Sequence, residues 1–191
     1  MAQRTRGNVK EKLILNGIEE MSVFGVQEFS VRRVAQKSGV SCAAPYKHFK
    51  DRNSFVAAIL EYINENWEQI ALKIAAEYPD DYREQLVNIS LRYVQFLVEN
   101  PHFRSILMLK DDEFDAEHRA LRTKVSSVTY DIVQKYCKSV SMSEDVMQRK
   151  LYVVRSLIYG AAILIDNKEM AYDEQNMAYV RDAIDREFDL A

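Results

Sequence analysis

Ser41, Tyr46, Lys47, His48 and Lys50 lie within ten residues of one another in the run GVSCAAPYKHFK, residues 39–50. A hydroxyl, a phenol, an ammonium, an imidazole and a second ammonium in that order form no nucleophile–base–acid series. They are donors suited to anionic oxygens, and nucleic-acid phosphates are held by this mix of side chains. Other constellations offer less. Glu99-Asn-Pro-His102 is a lone Glu-x-x-His, the unit that di-iron bundles use in pairs, and Pro101 interrupts it. Glu117 and His118 adjoin the acidic run KDDEFDAE and read as solvated. No Ser/His/Asp order, glycine-rich phosphate loop or CxxC occurs. Cys42 and Cys137 are too few and too far apart for a metal knuckle or a disulfide framework. Cys42 reads either as a thiol sensitised by a helix N-terminus or as a small residue fitting a surface. The expectation is a non-enzyme with no cofactor and no metal.

Charge distribution points the same way. Residues 1–55 hold ten Lys/Arg against five Asp/Glu, a net of +5, which leaves −8 for the remainder of a chain whose total is −3. A basic module on an acidic body suits an anionic partner for one part only, although a patchy solvated surface would give the same count. The N-terminus has no apolar core of signal-peptide type, and Leu157–Ile165 is far shorter than the ~20 residues a bilayer span needs. A reducing, cytoplasmic setting without a membrane partner is expected.

The elements that position these residues are helices. Five glycines and three prolines give little punctuation in 191 residues, and apolar residues recur at helical spacing almost throughout. The spacing predicts a helix over 9–24 closed by Gly25, a short helix capped by Ser30 and broken at Gly39, and a third short helix from Ser41 to about Phe49. Longer helices follow over about 53–78, 81–99, 101–109, 118–140, 144–166 and 173–190. The 81–99 segment carries two apolar stripes and should be central. Two short helices joined at Gly39, with Ala35 at the close approach and Val40 between them, make a helix-turn-helix. In that reading Ser41 turns a helix N-terminus toward a phosphate, and Tyr46, Lys47 and His48 reach further backbone oxygens. An ordinary corner between two helices is the bland alternative.

The run SVRRVAQKSGVSCAAPYKHFKDRNSF, residues 30–55, resembles the DNA-binding segment of the tetracycline-repressor (TetR) family of transcriptional regulators. Its Gly-Val-Ser followed by Tyr-x-His-Phe carries the likeness, and ILNGIEEMSVFG upstream resembles the family's first helix. The match covers about residues 9–60, and the helical remainder is similar in length and layout. The resemblance implies an all-α fold with a DNA-binding domain over 1–52 and an effector-binding and dimerisation domain over 53–191. It implies that Tyr46 and His48 hold phosphates, that Lys50 meets the backbone further on, and that Cys42, Ala43, Ala44 and Lys47 face base edges. Ser30, Arg32 and Ser41 join them at the interface, with Arg6 either in an adjacent groove or in a basic tail. Cys42 and Ala44 depart from the basic, polar or hydroxyl residues common there, and neither can make bidentate base contacts. Readout would then rest on Lys47, on thymine methyls and on DNA shape.

For the body, the resemblance raises Trp67, Tyr93, Phe96, Phe103, Met108, Tyr130 and Tyr159 from core aromatics and Met to candidate pocket residues. Arg155, between Tyr152 and Tyr159 at helical spacing, reads as an anchor for an anionic effector or as an intersubunit contact. A second apolar stripe including Leu157, Gly160 and Leu164, joined by Val180 and Ile184, suggests a homodimer through a four-helix bundle. The functional expectation is a repressor that binds a palindromic double-stranded DNA operator and answers to a small-molecule effector. A helical-bundle carrier or enzyme without a DNA role is the alternative.

Overall fold

The computed structural model describes residues 2–124 and 127–189, with the side chains of all these except 2–8, 111, 127 and 128. The described residues form α1 (Ala2–Phe24), α2 (Val31–Lys37), α3 (Arg52–Glu77), α4 (Tyr82–Glu99), α5 (Pro101–Leu107), α6 (Ala116–Thr123), α7 (Ser127–Ser139), α8 (Glu144–Asp166) and α9 (Glu174–Glu187). Short 3-10 turns occupy Pro45–Lys47 and Asp111–Glu113. None of the described residues forms a strand, and no described helix is long and apolar enough to cross a membrane. The all-α expectation holds.

Local chemistry explains most helix starts. Ser30, Asp81, Asp115, Ser143 and Asp173 each accept a hydrogen bond from the backbone N–H three residues on, satisfying one of the orphan donors of a first turn. The helix expected over 118–140 is instead two, α6 and α7. Asn64 Nδ2 donates to the Leu121 carbonyl at 2.8 Å in the last turn of α6, an acceptor shared with the Lys124 N–H.

The chain divides into two compact units, Met1–Asn66 with Pro101–Val125, and Trp67–Asn100 with Ser126–Ala191. This cuts across the boundary at 52/53 expected from sequence: α3 contributes to both units, and α5 and α6 belong with α1 and α2. In the first unit α1 packs on α2 and α5 around Leu13, Ile18, Met21, Val34, Phe55, Ile59 and Ile63. At Gly17 α1 lies close against α3. A Cβ there would lie 2.8 Å from Ile59 Cδ1 and 3.2 Å from Phe55 Cε2.

In the second unit α4 is central, packed on α7, α8 and α9, with Leu86, Val87, Ile89, Val94, Phe96 and Leu97 buried. Both of its stripes are therefore covered, as two-sided apolarity requires. Arg83 ties α4 to the end of α9 through Asp185 (2.8 Å) and Asp189 (2.7 Å).

Candidate nucleic-acid interface

The approach to the site is built by two glycines. Gly25 has φ 72° and donates to the Met21 carbonyl at 2.9 Å, closing α1. Gly39 has φ 69°; its N–H reaches Gln36 O at 3.0 Å and that of Val40 reaches Ala35 O at 3.1 Å, the paired bonds of a Schellman stop. Ser38, buried in this turn, accepts from Asn16 Nδ2 at 2.8 Å, which fixes the turn to α1.

The third short helix does not form as an α-helix. Ala44 N bonds to Ser41 O (2.9 Å), Lys47 N to Ala44 O (3.1 Å) and His48 N to Pro45 O (2.9 Å), all three-residue steps. Pro45 has no N–H for the Ser41 carbonyl, so the chain tightens into a 3-10 turn whose N-cap is Ala44 with no side-chain bond. The expected helix N-terminus at Ser41, and the phosphate site drawn from its dipole, are therefore corrected. What remains is an exposed loop anchored at two points. Pro45 and Phe49 are buried, and Phe49 stacks on Phe55 at 4.0 Å while Phe29 meets the same ring edge-on at 5.3 Å.

Ser41, Cys42 and Ala43 before the first anchor and Tyr46 and Lys47 between the two are exposed, and Lys50 follows just beyond. Ala44 and His48 are half-buried, His48 tilted against Phe49. Arg32 is exposed, whereas Ser30 is half-buried and its hydroxyl already accepts from Arg33 N at 3.3 Å. The side chain of Arg6 lies outside the described residues.

Fewer of the basic residues face outward than the sequence count implies. Arg33 pairs with buried Glu20 at 2.5 Å and lies 4.3 Å over the Phe24 ring. Lys37 pairs with Glu19, and that bond holds the Glu19 carboxyl below its ordinary range. Arg52 turns inward to the carbonyls of Val26, Gln27 and Phe29. Sequence reasoning missed this last role because the partners lie 23 to 26 residues away. His118 was missed as well. It is buried, with Nε2 3.0 Å from Asn53 O and Nδ1 3.0 Å from Asp115 Oδ2, not solvated.

No family model matches the chain. The HTH-type transcriptional regulator AcrR of Shigella flexneri is 25% identical over 173 residues, covering 84% of this chain and 80% of its own length. A TetR family transcription regulator from Marinobacter aquaeolei VT8 superposes with a TM-score of 0.78 at 15% identity, over 97% of this chain and 98% of the other. The transcriptional regulator FadR from Bacillus subtilis, solved with stearoyl-CoA, gives 0.66 at 13% identity, over 92% and 95%. The chain has the fold of these TetR-type regulators.

Against the TetR pattern, the body residues fall into separate groups. Trp67, Tyr93 and Phe96 form a cluster in the second unit, with Trp67 4.6 Å from Tyr93 and 5.4 Å from Phe96. Burial raises the Tyr93 phenol well above its ordinary range; the neighbouring Tyr159 hydroxyl adds to this by hydrogen bonding, and Arg155 opposes it. Phe103 belongs to the first unit, edge-on to Tyr62 at 6.4 Å, as does the exposed Met108. Tyr130 is exposed on α7. On the expected dimer face, Leu157 and Gly160 are half-buried and Leu164 is exposed, and a Cβ on Gly160 would meet open space. Val180 and Ile184 are corrected: both are buried within their own unit, Ile184 completely, because α9 turns them toward its own neighbours.

Proposed function

We propose that this chain is a DNA-binding transcriptional regulator that reads a palindromic operator as a homodimer and is released from it by a small-molecule effector. The observation that carries the reading is the exposed run from Ser41 to Lys50, anchored by buried Pro45 and Phe49 beside a glycine-closed helix pair. Tyr46, Lys47 and Lys50 supply donors to phosphate, with His48 at the margin. Cys42 and Ala43 offer only small, weakly polar surfaces to base edges, so discrimination rests on Lys47, thymine methyl contact and groove shape.

In this reading residues 1–52 read DNA, and 53–191 take the effector and the second copy. The Trp67–Tyr93–Phe96 cluster with Tyr159 and Arg155 is the effector region, an aromatic wall with one cation beside it. FadR, a relative by fold, was solved with a long acyl thioester, and an apolar effector with an anionic group suits the same combination here. The second copy would sit on Leu157, Gly160 and Leu164. A cytoplasmic setting follows from DNA as partner. The test is capture of fragmented genomic DNA by the purified protein, followed by sequencing. Enrichment of a shared palindrome supports the reading, and recovery of no common sequence overturns it.

A further inference from the structure

The first turn of α3 is tied to its surroundings by several hydrogen bonds. Asp51 Oδ1 accepts from Ser54 N at 2.8 Å and Ser54 Oγ accepts from Asp51 N at 2.9 Å, a reciprocal box that starts the helix. From the next residue, Arg52 Nε donates to Phe29 O at 3.2 Å, while Nη2 donates to Gln27 O at 3.1 Å and to Val26 O. These carbonyls line the loop between α1 and α2, which ends in the Ser30 cap of α2. From the other side His118 of α6 meets the Asn53 carbonyl at 3.0 Å. The loop that aims α2, the start of α3 and α6 are thus joined by backbone acceptors, so the joint does not depend on which side chains the loop carries.

We propose that Arg52 is a positioning residue for operator reading, its guanidinium fork fixing the angle between the α1–α2 loop and α3 from which the reading segment hangs. A planar fork holds its three carbonyls at fixed directions; a lysine ammonium also has three donors, but on a flexible stem it holds a point, not an angle. Two modules in a homodimer read two half-sites together only while their separation matches the DNA repeat, so a stiff joint shows itself as intolerance of altered half-site spacing. This inference rests on the operator-reading function proposed above.

The test uses duplexes selected by the wild-type protein from a random library, then rebuilt with one base pair added or removed at the centre of symmetry. Affinities are read by fluorescence anisotropy for wild type, Arg52→Met and Arg52→Lys, each first checked for folding by circular dichroism. Wild type should lose about tenfold or more on the altered spacings, and both variants should narrow that penalty to about threefold or less. A folded variant that keeps the wild-type penalty, whether or not it binds all spacings more weakly, overturns the inference. If Arg52→Met does not fold, the Arg52→Lys ratio decides by the same criterion. A wild-type protein that selects no duplex fails the operator-reading function itself, whereas selection with unchanged spacing ratios fails only the role of Arg52.

Discussion

Phe49 lies flat on Phe55, ring centroids 4.0 Å apart and 8° from parallel, so the end of the reading segment is packed directly on the first turn of α3. Phe29 closes the trio from the α1–α2 loop. Pro45 is the only other buried residue of the segment, so this stacking is one of its two apolar attachments. Truncating a buried phenylalanine costs about 3–5 kcal/mol. Phe49→Ala should therefore lower the midpoint of urea unfolding and weaken DNA binding together, measured by fluorescence-detected unfolding and anisotropy.

Salt dependence should separate outward cations from inward ones. Each phosphate neutralised adds about −0.9 to the slope of log K against log salt. Lys47→Ala and Lys50→Ala should each flatten the slope by about that amount. Arg33→Ala should leave the slope unchanged, since its charge faces Glu20, and should instead destabilise the fold. A slope that responds to Arg33 and ignores Lys50 would put the interface elsewhere.

Replacing Pro45 by Ala returns an N–H to the middle of the segment and removes the ring that blocks a continuous ladder. Proline is about 3 kcal/mol worse than alanine inside a helix. Pro45→Ala should therefore move the Cα chemical shifts of residues 42–47 toward helical values in the free protein. Unchanged shifts would mean that another feature, not the missing donor, holds the tight turn.

How much of this was legible in the sequence follows from the range of the forces involved. Ser30, Gly25 and Gly39 act on backbone within five residues and were visible as a cap and two stops, and the caps Asp81 and Asp173 stand at the starts expected for their helices. Pro45 is also local, but apolar spacing and the Ser41 cap signal favour a helix there regardless of it. In a nine-residue segment the loss of one ladder bond removes most of the helix. Arg52, His118 and Asn64 find partners 23 to 65 residues away, and nothing in the flanking sequence distinguishes a lysine or arginine facing DNA from one facing a carbonyl. Apolar periodicity identified Val180 and Ile184 as inward-facing but could not say which interior they face.

That distinction sets the expectation for the dimer. Leu157→Glu with Leu164→Glu should give a monomer of unchanged helical content by sedimentation velocity and circular dichroism. Ile184→Glu places a carboxylate at a fully buried position and should unfold the second unit instead. Dissociation without loss of structure in Ile184→Glu would contradict its placement.

Acid should loosen the joint near the reading segment. Hydrogen bonds from Ser54 hold the Asp51 carboxyl below its ordinary value of 3.8. A depressed folded value means that the stabilisation is complete above the ordinary value and is lost as pH falls through the lower one. Asp51→Asn, which keeps the capping oxygen, should reduce the steepness of the stability loss below about pH 4, measured by urea unfolding across the acid range.

Gly17 has a further consequence for how the N-terminal unit opens. With the space of a missing side chain filled by Ile59 and Phe55, α1 and the first half of α3 have no slack between them. Neither helix can peel away without stripping the other of its core, so partial opening exposes nearly as much apolar surface as complete opening. Such an arrangement forms a single cooperative block in the sense of native-state amide exchange. The deepest amides of both helices should then exchange with solvent at one common free energy, as if they belonged to one element.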